Sequence, residues 1–150
     1  MEKPDIATYF TDYLKRQKLR VTPERFEVLD AVLAVGDHFD ADQLFLRMKN
    51  AGSKVSRATV YNTLDKLTAC GIIARYRFDE RLAKYELIYQ SEPHHHMICR
   101  VCGRIEEFSD RRVDRLARDA ASTMQFALSD AVLHIFGVCP VCAAEQTSDA

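Results

Sequence analysis

The apolar residues of this chain keep a helical rhythm at first and a strand-like one later. Ile6, Tyr9, Phe10, Tyr13 and Leu14 recur at i, i+3, i+4 spacing, which predicts an amphipathic helix over residues 5–17. Thr22-Pro23 reads as the start of a second helix, a hydroxyl at the cap and proline in the first turn. Phe26, Leu29, Val32 and Leu33 form its predicted inner face, and Gly36 closes it. Asp40 or Asp42 can cap a third helix that buries Leu44, Phe45 and Met48 and stops at Gly52. Ser56-Arg57-Ala58-Thr59 opens a fourth, with Val60, Leu64 and Leu67 inward and Gly71 at its end.

Two helices joined by a short turn, the second opening on Ser-Arg-Ala-Thr, make a helix-turn-helix pattern. Ile72–Phe78, a turn at Asp79-Glu80-Arg81 and Ala83–Ile88 then read as a β-hairpin, the wing of a winged helix. Residues 89–93 read as a linker, after which the composition changes. His94–Ile98 and Arg104–Phe108 are predicted strands flanking Cys99-Arg-Val-Cys102-Gly103. A helix is expected over 110–124 (Val113, Leu116, Ala117, Ala120), then a β-rich run over 131–138 entering Cys139-Pro-Val-Cys142, and a frayed polar tail after Ala144. The fold class is therefore α+β, with domains at 1–88 and 94–150 joined by a hinge at 89–93.

Charge adds little. The 150 residues carry a formal net charge of -1, and 29% are charged. Residues 1–90 hold 15 Lys and Arg against 13 Asp and Glu, and the rest hold 6 against 9. The local cluster Lys15, Arg16, Lys18, Arg20 and Arg25 is more informative. The N-terminus lacks the apolar run of a signal peptide, and no stretch approaches the ~20 apolar residues of a membrane span. A reducing cytoplasm is the expected compartment, where paired cysteines bind metal more often than they form structural disulfides.

Cys99/Cys102 and Cys139/Cys142 are two C-x2-C pairs separated by 36 residues. Four thiolates fill every position of tetrahedral Zn²⁺ and leave none open for a substrate, which makes a structural site. The rival readings are disulfides and a thioredoxin-like redox pair, but the βαβ setting of the latter is absent. Cys70 reads as a small core hydrophobe. In His94-His95-His96, alternation along a strand sends His94 and His96 to one face and His95 to the other. Two imidazoles make half a metal site. Glu86, Glu107 and Asp114 are carboxylates within plausible reach, and His38 sits in the loop before the third helix. Imidazole and carboxylate without thiolate suit Fe²⁺, Mn²⁺, Co²⁺ or Zn²⁺ with little discrimination. The alternative is a solvated histidine run, and His134 reads as a packed or surface histidine.

Over roughly residues 8–142 the chain resembles the ferric uptake regulator family. The matching stretches are Leu19–Arg25, His38–Phe45, Ser56–Leu64, His94–Gly103 and Ile135–Cys139. The resemblance implies a metal-dependent transcriptional repressor: a winged helix-turn-helix domain followed by a small α/β dimerisation domain with a four-cysteine zinc site. It implies a homodimer, with pairing of dimers into tetramers left open, bound to an A·T-rich palindromic operator in double-stranded DNA. By position, the regulatory metal ligands are His38, Glu86, His94, His96 and Glu107. His95 and Asp114 match two ligands of a further site found in many members, where Ala131 replaces a histidine. Peroxide-sensing relatives carry aspartate at the place of Glu107, and zinc-sensing ones a cysteine among the ligands, so the resemblance favours Fe²⁺ as co-repressor and control of iron-homeostasis genes. Zinc, manganese and peroxide sensing are the alternatives within the family.

For DNA, the resemblance implies that Tyr61 meets a thymine methyl, Arg57 contacts bases or backbone, and Ser56 and Thr59 reach phosphates. It sends Lys15 to the minor groove and leaves Arg20 and Arg25 to neutralise phosphates. Val60 and Leu64 already define the inward face, which favours exposure of Tyr61. The rival classes are an enzyme, either a zinc hydrolase or a thiol oxidoreductase, and a zinc-stapled adaptor without DNA binding. A hydrolase needs an open metal position, and no HExxH helix exists here; the expectation is a non-enzyme.

Overall fold

Side-chain caps set the helix starts in the first half of the chain. Asp5 accepts the Ala7 N–H at 2.9 Å and so begins α1, Ile6–Arg16. α2, Pro23–Val35, differs from expectation at its start, because Thr22 stands at the cap but makes no side-chain capping bond. Pro23, whose fixed φ suits a first turn, sets the entry instead. Gly36 ends α2 in the left-handed conformation at φ 65°, which costs glycine no Cβ clash. Asp40, and not Asp42, caps α3, Ala41–Asn50. Its side chain accepts the Gln43 N–H at 2.8 Å while the Gln43 side chain accepts the Asp40 N–H at 3.2 Å, a complete capping box. Ser56 caps α4, Arg57–Ala69, through the Thr59 N–H at 3.1 Å.

These helices bury Phe10, Leu14, Val28, Leu29, Val32, Leu44, Val60, Leu64 and Leu67 in one core, to which Cys70 also belongs. The inner face of α2 runs through Val28, Leu29 and Val32. Leu33, expected inward, lies about 100° further round the helix and is 39% exposed. Ile72 and Ile73 carry the core into a hairpin of β1, Ile73–Arg77, and β2, Ala83–Leu87, paired antiparallel from Ile73↔Leu87 to Arg77↔Ala83. The structure, a computed structural model, describes residues 5–78 and 83–148. The turn expected at Asp79-Glu80-Arg81 lies outside the described residues.

The chain divides into two compact units, Met1–Ser91 and Glu92–Ala150. In the second, β3 (His95–Cys99) is the central strand of a three-stranded sheet ordered β4-β3-β5. It pairs antiparallel with β4, Ile105–Phe108, and parallel with β5, His134–Gly137. α5, Arg111–Thr123, makes the crossover between β4 and β5 and is capped by Asp110. α5 has the predicted apolar stripe but buries none of its residues, and Leu116 is 69% exposed.

The polar tail departs from expectation. It forms α6, Pro140–Ser148, instead of fraying after Ala144. Proline at the helix start and a run of good helix formers (Ala143, Ala144, Glu145, Gln146) supply propensity where apolar periodicity is missing.

Candidate metal centres and nucleic-acid face

The four cysteines of the second unit converge. Cys99 ends β3, Cys102 lies in the turn after it, and Gly103 closes that turn at φ 76° with its N–H on the Cys99 carbonyl at 3.0 Å. Cys139 precedes α6, and Cys142 stands in its first turn. The four Sγ atoms lie within 4.8 Å of one another, with Cys102 and Cys139 at 3.8 Å. A Zn²⁺ tetrahedron with Zn–S bonds of ~2.3 Å has edges of about 3.8 Å, so the residues fit such an ion. N–H donors from Cys102 and Cys139, the latter at 3.3 Å from Sγ, hold the Cys99 thiol down at about 6. Hydrogen bonds with neighbouring thiols, Cys139 first, push Cys142 up to about 12. Four crowded thiols cannot all ionise by themselves; a divalent cation among them reverses that preference.

In the first unit, backbone pairing brings His38 and Glu86 together. Phe39 and Tyr85 exchange N–H···O bonds of 3.1 and 2.7 Å, an isolated antiparallel bridge that fastens the α2–α3 loop to β2. Their rings stack at 5.7 Å. The adjoining residues are His38 and Glu86, and His38 Nε2 lies 3.6 Å from Glu86 Oε2. Asp37, which the sequence reading missed, accepts the His38 N–H at 2.7 Å and lies 3.3 Å from Nδ1. A carboxylate on one ring nitrogen fixes the ring and directs the other nitrogen outward, the usual support of a ligating histidine.

In the second unit, His96 is the register partner of Glu107 on β4 and of His134 on β5. The His94 and His96 rings are 5.1 Å apart, and His94 Nε2 is 4.0 Å from Glu107 Oε1. His95 faces the other way, against Phe108 and Asp114. Its Nδ1 accepts the Leu133 N–H at 3.3 Å, and its Nε2 is 3.7 Å from Asp114 Oδ1. Among the described residues, no third ligating side chain groups with this pair. The His134 ring lies 5.2 Å from that of His96.

The expected DNA-contacting residues fall into two groups. Arg20, Arg25, Ser56 and Thr59 line one groove of about 660 Å³, together with Thr22, Lys54 and Asn62. The Arg25 guanidinium donates to the Arg20 carbonyl, which holds both on this wall. Glu24 also lines the groove; the N-terminus of α4 opens into it, and Arg20, Arg25 and Lys54 outnumber that one carboxylate, a combination that suits a phosphate. Lys54 and Asn62 were not singled out in the sequence; Lys54 lies two residues before the α4 cap Ser56, where a basic residue was the available signal. The second group is Arg57 and Tyr61, exposed on α4 and both bound to Asp42 of α3. Lys15 is exposed on the last turn of α1, with neither group.

No helix among the described residues is long and apolar enough to cross a membrane. Residues 16–136 match the Ferric uptake regulator family. The ferric uptake regulation protein of Legionella pneumophila is 33% identical over 130 residues, 86% of this chain and 95% of that protein. Among solved structures, the ferric uptake regulator from Francisella tularensis with iron aligns at TM-score 0.72 and 32% identity, over 83% of this chain and 95% of that one. The regulator from Pseudomonas aeruginosa with manganese aligns at 0.74 and 28%, over 87% and 97%. On these matches, and on a winged helix followed by a four-cysteine unit, the chain belongs to the ferric uptake regulator family, whose members are metal-binding, DNA-binding transcription regulators that act as dimers.

Proposed function

We propose that this chain represses iron-homeostasis genes from the cytoplasm, as a homodimer on an A·T-rich palindromic operator, with Fe²⁺ as co-repressor and Zn²⁺ as a structural ion on Cys99, Cys102, Cys139 and Cys142. The regulatory ligands are His38 and Glu86 of the first unit with His94, His96 and Glu107 of the second. The observation that carries this reading is the double clustering inside the units: His38 against Glu86 at 3.6 Å, and His94 against Glu107 at 4.0 Å with His96 in register. A bound divalent ion supplies the charge that lets imidazoles and carboxylates from two parts of the chain be held together. The chain's own residues do the rest. Asp37 orients His38, the Phe39–Tyr85 bridge sets His38 beside Glu86, and the β3–β4 register sets His96 beside Glu107.

The donor set, imidazole and carboxylate without thiol, supports Fe²⁺ or Mn²⁺ over an ion that favours sulfur. Four thiolates that would fill a tetrahedron leave no open position for hydrolysis, which speaks against an enzyme. The unburied face of α5 and the exposed Phe126 (72%) and Met124 fit a second copy of the chain. His96→Ala is the test. It is expected to abolish metal-stimulated operator binding, measured by fluorescence anisotropy, while the protein remains a folded, zinc-bearing dimer by circular dichroism and sedimentation. Unfolding or monomerisation of this variant would show that His96 is structural and not regulatory.

A further inference from the structure

Asp42 is the second residue of α3, and the helix does not need it for capping, since Asp40 fills that role. Its carboxylate instead reaches across to α4. Arg57 Nη2 donates to Asp42 Oδ2 at 2.9 Å and lies 2.7 Å from Oδ1 as an ion pair, and the Tyr61 hydroxyl donates to Oδ1 at 2.8 Å. Arg57 and Tyr61 are four residues apart on one helix face, and the guanidinium carbon lies 5.7 Å from the Tyr61 ring centroid. One acceptor thus binds both Arg57 and Tyr61, the α4 side chains that the family resemblance assigns to DNA. All three groups reach solvent, with the Arg57 and Asp42 side chains 61% and 44% exposed.

An exposed ion pair of this kind adds little to stability. Its consequence lies in what the two donors can do next. A free arginine on a DNA-facing helix pairs with any phosphate, which raises affinity for every sequence alike. A carboxylate on the same face repels phosphates, so it is costly to DNA binding unless it discriminates. With one of its terminal nitrogens engaged, the guanidinium keeps donors for a base edge, where planar bidentate geometry carries sequence information. We propose that Asp42 is a specificity-determining positioning residue: it holds Arg57 and Tyr61 ready for base edges and withholds Arg57 from indiscriminate phosphate pairing. This inference rests on the reading of Arg57 and Tyr61 as DNA contacts.

The test compares two duplexes, one selected from a random pool by the wild-type protein and one scrambled to equal composition. Both are titrated with zinc-bearing protein and Fe²⁺ under anaerobic conditions across a salt series. Asp42→Asn is expected to bind the scrambled duplex several-fold more tightly and to steepen its salt dependence by about one phosphate contact. The ratio of selected to scrambled affinity should fall about tenfold. Asp42→Glu, which keeps the carboxylate, should restore most of the ratio. In an Arg57→Ala background Asp42→Asn should add nothing, because the freed side chain is gone. An unchanged ratio in Asp42→Asn overturns the proposal. So does an effect that persists in full without Arg57, which would reduce Asp42 to a generic negative charge. Operator binding left intact by Arg57→Ala and Tyr61→Ala alone would instead overturn the DNA-contact reading beneath it.

Discussion

A single carboxylate or thiol here does different work according to what surrounds it. Cys99 is held down at about 6 by backbone donors while Cys142 is pushed to about 12 by its thiol neighbours, although both belong to one cluster. Backbone donors thus favour the thiolate at Cys99, the form in which a cysteine binds metal. Cys99→Ala is expected to release chelation-resistant zinc and to melt the second unit, read by a colorimetric zinc assay beside circular dichroism. One tightly held zinc per chain in that variant would contradict the four-thiolate assignment. At this scale the sequence was legible where spacing places side chains, as in the two C-x2-C pairs, whose sulfurs converge, and in the alternation that turns His95 away from His94 and His96. Asp37, Lys54 and Asn62 escaped because tertiary and loop geometry places them, and Asp42 was read as a possible cap of α3 because its reach to Arg57 and Tyr61 of α4 is a tertiary contact.

Among the elements, the helices were legible by periodicity and their ends by cap chemistry, with instructive exceptions. Two aspartates competed to cap α3, and only the one followed three residues later by a side chain able to reach back, Gln43, closes a capping box. Asp40→Ala is expected to lower the stability of the first unit by ~1 kcal/mol, the usual cost of a lost N-cap. The measurement is the denaturant midpoint at unchanged m-value; a midpoint equal to wild type would contradict the capping role. Leu33 was placed inward because its residue type fits a core, but the buried arc of α2 centres on Val28, Val32 and Leu29, and Leu33 lies beyond its edge. α6 was missed for the opposite reason. It presents mostly exposed residues, so no apolar rhythm announces it, and a helix this short is marginal in isolation. Cys142 in its first turn gives it a tether.

For the molecule as a whole, the two units differ in how they are stabilised. The first has a continuous apolar core. The second, among its described residues, buries Ile98, Cys99, Cys142, His95 and His96, and leaves Leu116, Met124, Phe126 and Leu128 exposed. A unit of that size with so little apolar burial needs help from a metal or a partner. The sensed ion was less legible, because imidazole and carboxylate discriminate weakly among first-row metals. Moving an equilibrium from 1:99 to 99:1 in favour of a DNA-competent form takes about 5.5 kcal/mol of differential affinity, so operator binding should respond to the regulatory ion over orders of magnitude. The decisive measurement is an anaerobic operator titration of the zinc-bearing protein, first without added metal and then with Fe²⁺, Mn²⁺ or Zn²⁺. The account predicts weak binding without added metal and at least a hundredfold gain on adding Fe²⁺. Equal affinity with and without the added ion would contradict it.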